Sequence, residues 1–197
     1  MKTILIIILV STFVFYLLYK TYGSGRKVER QRYNIVKQEK DFEIRFYPRS
    51  IMASVSSKKV NNETDANTNF RRLASYIFGG NRQEKKIAMT APVYMESDSN
   101  ENRMSFVLPA QYQMSDLPDP NDISINIHYS DEGYFACLRF SGFAGRKKIE
   151  EKENQLRQLL EQTGYKVTGK YIYLGYNAPW DVINRENDII VKIDYGQ

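Results

Sequence analysis

Apolar and polar residues alternate along most of this chain in short runs, while two longer stretches repeat their apolar positions every three or four residues. Alternation at Tyr33 to Val36, Phe42 to Tyr47 and Ile51 to Val55 predicts strands, with Gln38 to Asp41 as a polar turn and Pro48 as a break in the ladder. The polar stretch Lys58 to Asn69 leads into a helix, with Asp65, Asn67 and Thr68 as candidate N-caps. Phe70, Leu73, Ala74 and Ile77 fall at i, i+3, i+4 and i+7 and give this helix one apolar face; Arg71, Arg72, Ser75 and Tyr76 are expected to point elsewhere. Gly79-Gly80 supplies the stop. Strands are expected again at Ile87 to Val93 and Met104 to Leu108, on either side of a polar hairpin region, Glu96 to Arg103.

The second half reads the same way. Ile123, Ile125 and Ile127 alternate with Ser124, Asn126 and His128, the pattern of a half-buried strand, and Asp131-Glu132-Gly133 turns into a further strand, Tyr134 to Phe140. Ile149, Leu156, Leu159 and Leu160 line a second helix that Gly164 closes, and Tyr171 to Leu174 and Asp188 to Ile193 are the closing strands. Each half runs β, α, β, β, and each carries an Ala-Pro pair, Ala91-Pro92 and Ala178-Pro179, which belongs at the border of a ladder because proline has no N–H to give. This repetition predicts an α+β fold of duplicated β-α-β-β units. About eight antiparallel strands would protect their edges most simply by curling into a distorted barrel with the two helices packed outside.

Charge changes the picture at one end only. Of 28 basic and 23 acidic residues, six basic and one acidic fall within residues 1–32, which leaves the remainder formally neutral. A basic excess placed on the domain would point to nucleic acid; placed beside an apolar run it points to a membrane. Ile4 to Tyr19 is 16 uncharged residues between Lys2 and Lys20, short for a spanning helix, with Tyr16, Tyr19 and Tyr22 suited to an interface. No small-x-small cleavage site follows it, so residues 1–22 are expected to be a transmembrane anchor or uncleaved signal, 23–32 a basic tether, and 33–197 the folded domain. The charges on either side of the run do not assign the face of the membrane.

Candidate chemistry is sparse. His128 is the single histidine, and its alternation with Ile127 and Ile125 fits a partly solvated strand residue better than a ligand. Cys137, the single cysteine, sits between Ala136 and Leu138 and reads as a small buried hydrophobe. No phosphate-binding glycine loop and no metal-ligand spacing stands out, and Glu150, Glu151 and Glu153 read as a solvated helix face. No acid, base and nucleophile set assembles, so the expectation is a binding protein rather than an enzyme.

Six segments in register resemble the SOUL haem-binding proteins, the family of haem-binding proteins 1 and 2. They are Phe42-Glu-Ile-Arg-Phe-Tyr-Pro48, the helix ending in Gly79-Gly80-Asn81, Ile87-Ala-Met-Thr-Ala-Pro-Val93, Phe106-Val-Leu-Pro109, Leu138-Arg-Phe-Ser-Gly142, and Gly175-Tyr-Asn-Ala-Pro179 with Arg185-Glu-Asn187. The resemblance covers residues 33 to 195. It implies non-covalent binding of haem or another tetrapyrrole between the first helix and loops. By position it assigns Thr68, Arg71, Ser75 and Tyr76 to the porphyrin side of that helix, with Arg71 on a propionate, and leaves Asp181 where the family places a basic loop residue. Tyr176 and Trp180 flank the second Ala-Pro loop and offer flat surfaces for a macrocycle, and His128 is the one conventional iron ligand. The expected role is a membrane-tethered carrier or buffer of the pigment. Its rivals are a hydrolase-like or other small-amphiphile domain on the same fold, and a protein-interaction module built on the second helix.

Overall fold

The computed structural model describes residues 28–58, 64–98, 100–177 and 185–196. Strands β1 (Glu29–Arg30), β2 (Asn34–Gln38), β3 (Glu43–Tyr47) and β4 (Ile51–Lys58) precede helix α1 (Thr64–Ile77). After it come β5 (Thr90–Ala91), β6 (Val93–Ser97), β7 (Glu101–Val107), β8 (Asn126–Tyr129) and β9 (Gly133–Ser141). Helix α2 (Arg146–Thr163) then leads to β10 (Lys166–Gly175) and β11 (Glu186–Asp194).

Nine of these strands form one antiparallel sheet in the order β2-β3-β9-β11-β10-β6-β7-β4-β8, and β1 pairs with β5 in a small parallel ladder. The duplication is visible in that order. Strands β9, β11 and β10 make one half, β4, β7 and β6 the other, and the halves join at the β10–β6 pair. Each half also takes the leading strand of the other: β3 pairs with β9, and β8 pairs with β4. The two units are thereby exchanged rather than set side by side.

Side-chain parity sorts the sheet into an outer and an inner face. Ile51, Ala53 and Val55 of β4, with Met104 and Phe106 of β7, face outward under Leu73, Tyr76 and Ile77 of α1. Ile44 of β3, Ala136 and Leu138 of β9, and Ile189 and Val191 of β11 face outward under Leu156 and Leu160 of α2. Inward, Tyr47, Met52, Tyr94, Val107, Phe135, Cys137, Leu174 and Ile190 form a third cluster that neither α1 nor α2 covers among the described residues. Central strands packed on both faces read as nearly continuous apolar runs, as Ile189-Ile190-Val191 does.

Four expectations are corrected. The sheet is open, with nine strands rather than a closed barrel of eight: its ends are protected by the shortness of β8 and by the lysine and register shift of β2. The strand expected at Ile87 to Val93 is divided, because Ile87 N–H is held by the Ile77 carbonyl at the end of α1 and Lys86 bridges Phe78, so pairing begins only at Thr90; Pro92 separates β5 from β6 as expected of a ladder border. The strand expected from Ile123 starts at Asn126. Asp122 turns the chain by accepting Ser124 N–H on its side chain and Ile125 N–H on its carbonyl, leaving Ile123 99% exposed. Tyr76, expected away from the apolar face, is wholly buried in the α1 core cluster. The apolar segment Ile4 to Tyr19 lies outside the described residues, and among those described no helix is long and apolar enough to cross a membrane.

Candidate functional site

Helix α1 exposes one stripe. Thr68, Arg71 and Ser75 lie at i, i+3 and i+7 on its solvent side, and Phe78, one step past the helix, continues the line with 62% of its surface exposed. The two arginines in its middle differ. Arg72 donates to both carboxylate oxygens of Asp122, at 2.7 and 3.1 Å, and also to Ser124 Oγ. The hydrogen bond from Arg72, seconded by Ser124, holds the Asp122 carboxyl well below the usual carboxylate range. Arg71 is exposed and, among the described residues, has no ion pair or hydrogen bond.

The stripe is fixed where the helix stops. Gly80 N–H donates to the Ser75 carbonyl at 2.7 Å and Gly79 N–H to that of Tyr76 at 3.4 Å, the paired bonds of a Schellman cap, with Gly79 at φ +109°. A Cβ on Gly80 would lie 2.7 Å from the Ser75 carbonyl oxygen, so the close approach admits glycine alone. Asn81 is buried and ties the turn: its Nδ2 donates to the carbonyls of Tyr76 and Lys85, and its Oδ1 accepts from the N–H groups of Gln83 and Lys85.

The other residues assigned to the site lie apart from this stripe. Tyr76 donates from its hydroxyl to the Pro118 carbonyl at 3.0 Å, and burial pushes the phenol up to about 12. Tyr176 turns to the inner cluster and donates to Asp188 Oδ2 at 2.8 Å; burial, with the nearby Tyr47 and Asp188, holds its phenol protonated far above the ordinary value. Trp180 and Asp181 lie outside the described residues. His128 is on the inner face of β8, across the sheet from α1, with Nε2 2.7 Å from Ser54 Oγ and Nδ1 2.9 Å from the Tyr129 carbonyl. Cys137 is buried on the inner face as expected of a small hydrophobe, and burial raises its thiol well above the ordinary range. Among the described residues no cluster of three or more His, Cys, Asp or Glu could hold a metal ion.

Two features were not picked out from the sequence. One is Phe78, which follows the core periodicity at i+8 from Phe70 and shows its exposure only once the Schellman cap is seen. The other is a cavity of about 670 Å³ on the inner face, lined among others by Tyr47, Met52, Tyr94, Ser105, His128 and Phe135. Its signal was present in the inward parity of the strands, but parity alone does not separate a filled core from an open cleft.

Two helix-backed half-sheets share one inner face that no described helix covers, and a capped helix carries an arginine with no partner among the described residues beside an exposed phenylalanine; together they define a duplicated α+β domain. The chain belongs to the SOUL heme-binding protein family, whose model matches residues 28–192. It is 32% identical over 160 residues to Heme-binding protein 2 of Homo sapiens, covering 77% of this chain and 78% of that protein. It is 28% identical over 125 residues to Heme-binding protein 1 of Xenopus laevis, covering 60% of this chain and 65% of that one. In fold it is also similar to the EcmrR C-terminal domain (TM-score 0.61, 11% identity, 82% of this chain and 98% of that one). A hydrolase from Listeria innocua is similar at TM-score 0.56 and 9% identity, over 89% of this chain and 98% of that one. At such identities these two likenesses concern the fold alone.

Proposed function

We propose that this protein binds haem or a related tetrapyrrole non-covalently on the exposed stripe of α1, with Arg71 pairing a propionate and Phe78 supplying apolar contact, and that it carries or buffers the pigment rather than transforming it. Membership of the SOUL heme-binding protein family supports the ligand class. The observation that carries the site is the contrast between Arg72, committed to Asp122, and Arg71, three residues beyond Thr68 on the same stripe and committed to nothing described. His128 stands on the other side of the sheet with both ring nitrogens in hydrogen-bond contact, so in this reading the ring and its propionates are recognised and the iron gains no imidazole. The apolar run Ile4 to Tyr19 would hold the domain at a membrane surface.

Haemin titration of the full chain, followed by Soret absorbance and tyrosine fluorescence, tests the reading. Saturable one-to-one binding that weakens roughly tenfold in Arg71→Ala, as loss of one charge-assisted contact implies, supports it. Unchanged affinity in that variant removes Arg71 from the site, and absence of saturable binding removes the function.

A further inference from the structure

The inner-face cavity is separate from the α1 stripe, because the sheet lies between them. Eight strands contribute to or border it, and its about 670 Å³ falls within the size range of small-molecule pockets. Its floor is apolar and aromatic, with Tyr47, Met52, Tyr94, Phe135 and Ile172. Its charges lie toward the mouth and are mixed in sign: Lys170 is paired with Asp98 at 2.8 Å and Lys192 with Asp131 at 3.3 Å, while Glu96 and Arg103 sit opposite each other in register. The mouth therefore selects little by net charge.

The buried polar wall selects by protons. The carbonyl of Tyr129 can only accept, so the His128 nitrogen beside it, Nδ1, carries hydrogen. With the imidazole uncharged, Nε2 must accept, and the group 2.7 Å away is the Ser54 hydroxyl, which spends its single hydrogen there. Ser54 Oγ is also 2.7 Å from Ser105 Oγ, a pair in which either hydroxyl can donate; with the Ser54 hydrogen on Nε2, the one between the two serine oxygens belongs to Ser105. Ser105, 2% exposed and lining the cavity, is left with oxygen lone pairs and no hydrogen to offer. Tyr94, opposite Ser105 in the β6–β7 pair, is in the same position, its hydroxyl donating to Gln31 Oε1. Two neighbouring buried oxygens above an aromatic floor are thus both acceptors.

From this we infer that the inner cleft is a second binding site, independent of the α1 stripe, for a small amphipathic molecule with an aromatic or aliphatic body and a hydrogen-donating head, a hydroxyl or N–H group, which Ser105 and Tyr94 receive. Where the two oxygens on this part of the wall only accept, the same body carrying no donor is disfavoured, because those oxygens then lose water without gaining a partner.

Two probes of equal body test this: 2-naphthol, which carries the donor, and 2-methoxynaphthalene, which does not. Both are titrated against the full chain at pH 8.5 by fluorescence. Saturable one-to-one binding of 2-naphthol at least tenfold tighter than of 2-methoxynaphthalene is expected, as is collapse of that ratio to within threefold in Ser105→Ala. That variant leaves Ser54 free to keep its bond to His128, and its thermal unfolding checks that the fold persists. A second variant, Ile172→Trp, fills the cavity from its wall and should abolish binding of both probes while leaving haemin affinity unchanged. Equal affinities, no saturable binding, or a ratio that survives Ser105→Ala overturns the inference. Displacement of 2-naphthol by one equivalent of haemin overturns the independence of the two sites, whereas failure of haemin to bind at all bears on the α1 reading alone.

Discussion

Arg45 and Asp188, 143 residues apart in the chain, meet as a fully buried ion pair: Arg45 Nη1 donates to Asp188 Oδ2 at 2.7 Å, and both side chains are 0% exposed. They belong to β3 and β11, which are not neighbours; β9 lies between them, and its Arg139 donates to the same carboxylate at 3.0 Å. Glu43 holds the other side of Arg45 at 2.7 Å, the Tyr33 ring lies 4.2 Å from its guanidinium carbon, and Tyr176 donates to Asp188. The exchanged strand β3 is thereby tied by charge to the half-sheet it joins, and Tyr176, at the entrance to the second Ala-Pro segment, is tied to the same carboxylate.

Removing one partner of such a pair leaves a buried charge without compensation, which typically costs about 3–5 kcal/mol. Asp188→Asn should therefore lower the urea midpoint strongly at pH 7 with an unchanged slope. Replacing both by apolar residues, Arg45→Met with Asp188→Leu, should recover most of the loss, since Arg139 is 44% exposed and can return to water. A double variant no more stable than Asp188→Asn would show that the network contributes through its geometry rather than its charge balance.

The same carboxylate sets a pH dependence. Burial alone would raise Asp188, but the hydrogen bond from Arg139, the charge of Arg45 and the further bonds from Arg45 and Tyr176 outweigh it and leave the group below the ordinary carboxylate range. A carboxylate depressed in the fold stabilises it above the unfolded value, about 3.9, and ceases to do so as pH falls through the folded one. The stability difference between the native chain and Asp188→Asn should accordingly be constant from pH 7 to about 5 and shrink below about pH 4. A difference that grows on acidification would contradict this sign.

Much of this arrangement could be read beforehand, and the reasons for the remainder are local. Period-two and period-3.6 patterns placed both helices and most strands, and the glycine pair at 79 and 80 marked the end of α1, because these signals depend on neighbours in sequence. Exchange of β3 and β8 between the halves depends on pairings far apart in the chain, and no pattern within a strand encodes which strand it joins. The periodicity of Phe70, Leu73, Ala74 and Ile77 describes a narrow stripe, whereas the helix buries a wider one that takes in Tyr76. Arg45 and Asp188 stood in plain view among other charges of the same strands, Glu43 on β3 and Glu186 and Lys192 on β11, and no pattern within a strand tells which of these is buried or with what partner.

Tyr76 has a structural role that can be separated from ligand binding. Its hydroxyl reaches the Pro118 carbonyl from within the core, so Tyr76→Phe should cost about 1 kcal/mol, the usual loss for one intramolecular hydrogen bond, and should leave haemin affinity unchanged. Thermal unfolding and haemin titration of the same preparation check both statements.

Phe78 and Arg72 should behave in opposite ways. Phe78 is largely exposed, so Phe78→Ser takes little from the core and should change stability by no more than about 0.5 kcal/mol. If the ring lies against a porphyrin, however, its removal exposes apolar surface in the complex worth about 1–2 kcal/mol, a roughly five- to thirtyfold loss of haemin affinity. Arg72 is spent on Asp122, which in turn shapes the turn before β8; Arg72→Ala should leave haemin affinity unchanged while losing up to about 1 kcal/mol of stability, the scale of a partly exposed pair. Measured together, the two variants separate a surface that meets ligand from one that only holds the fold. A haemin affinity lowered by Arg72→Ala and untouched by Phe78→Ser would move the binding surface around α1 from the Phe78 line to the face that meets Asp122.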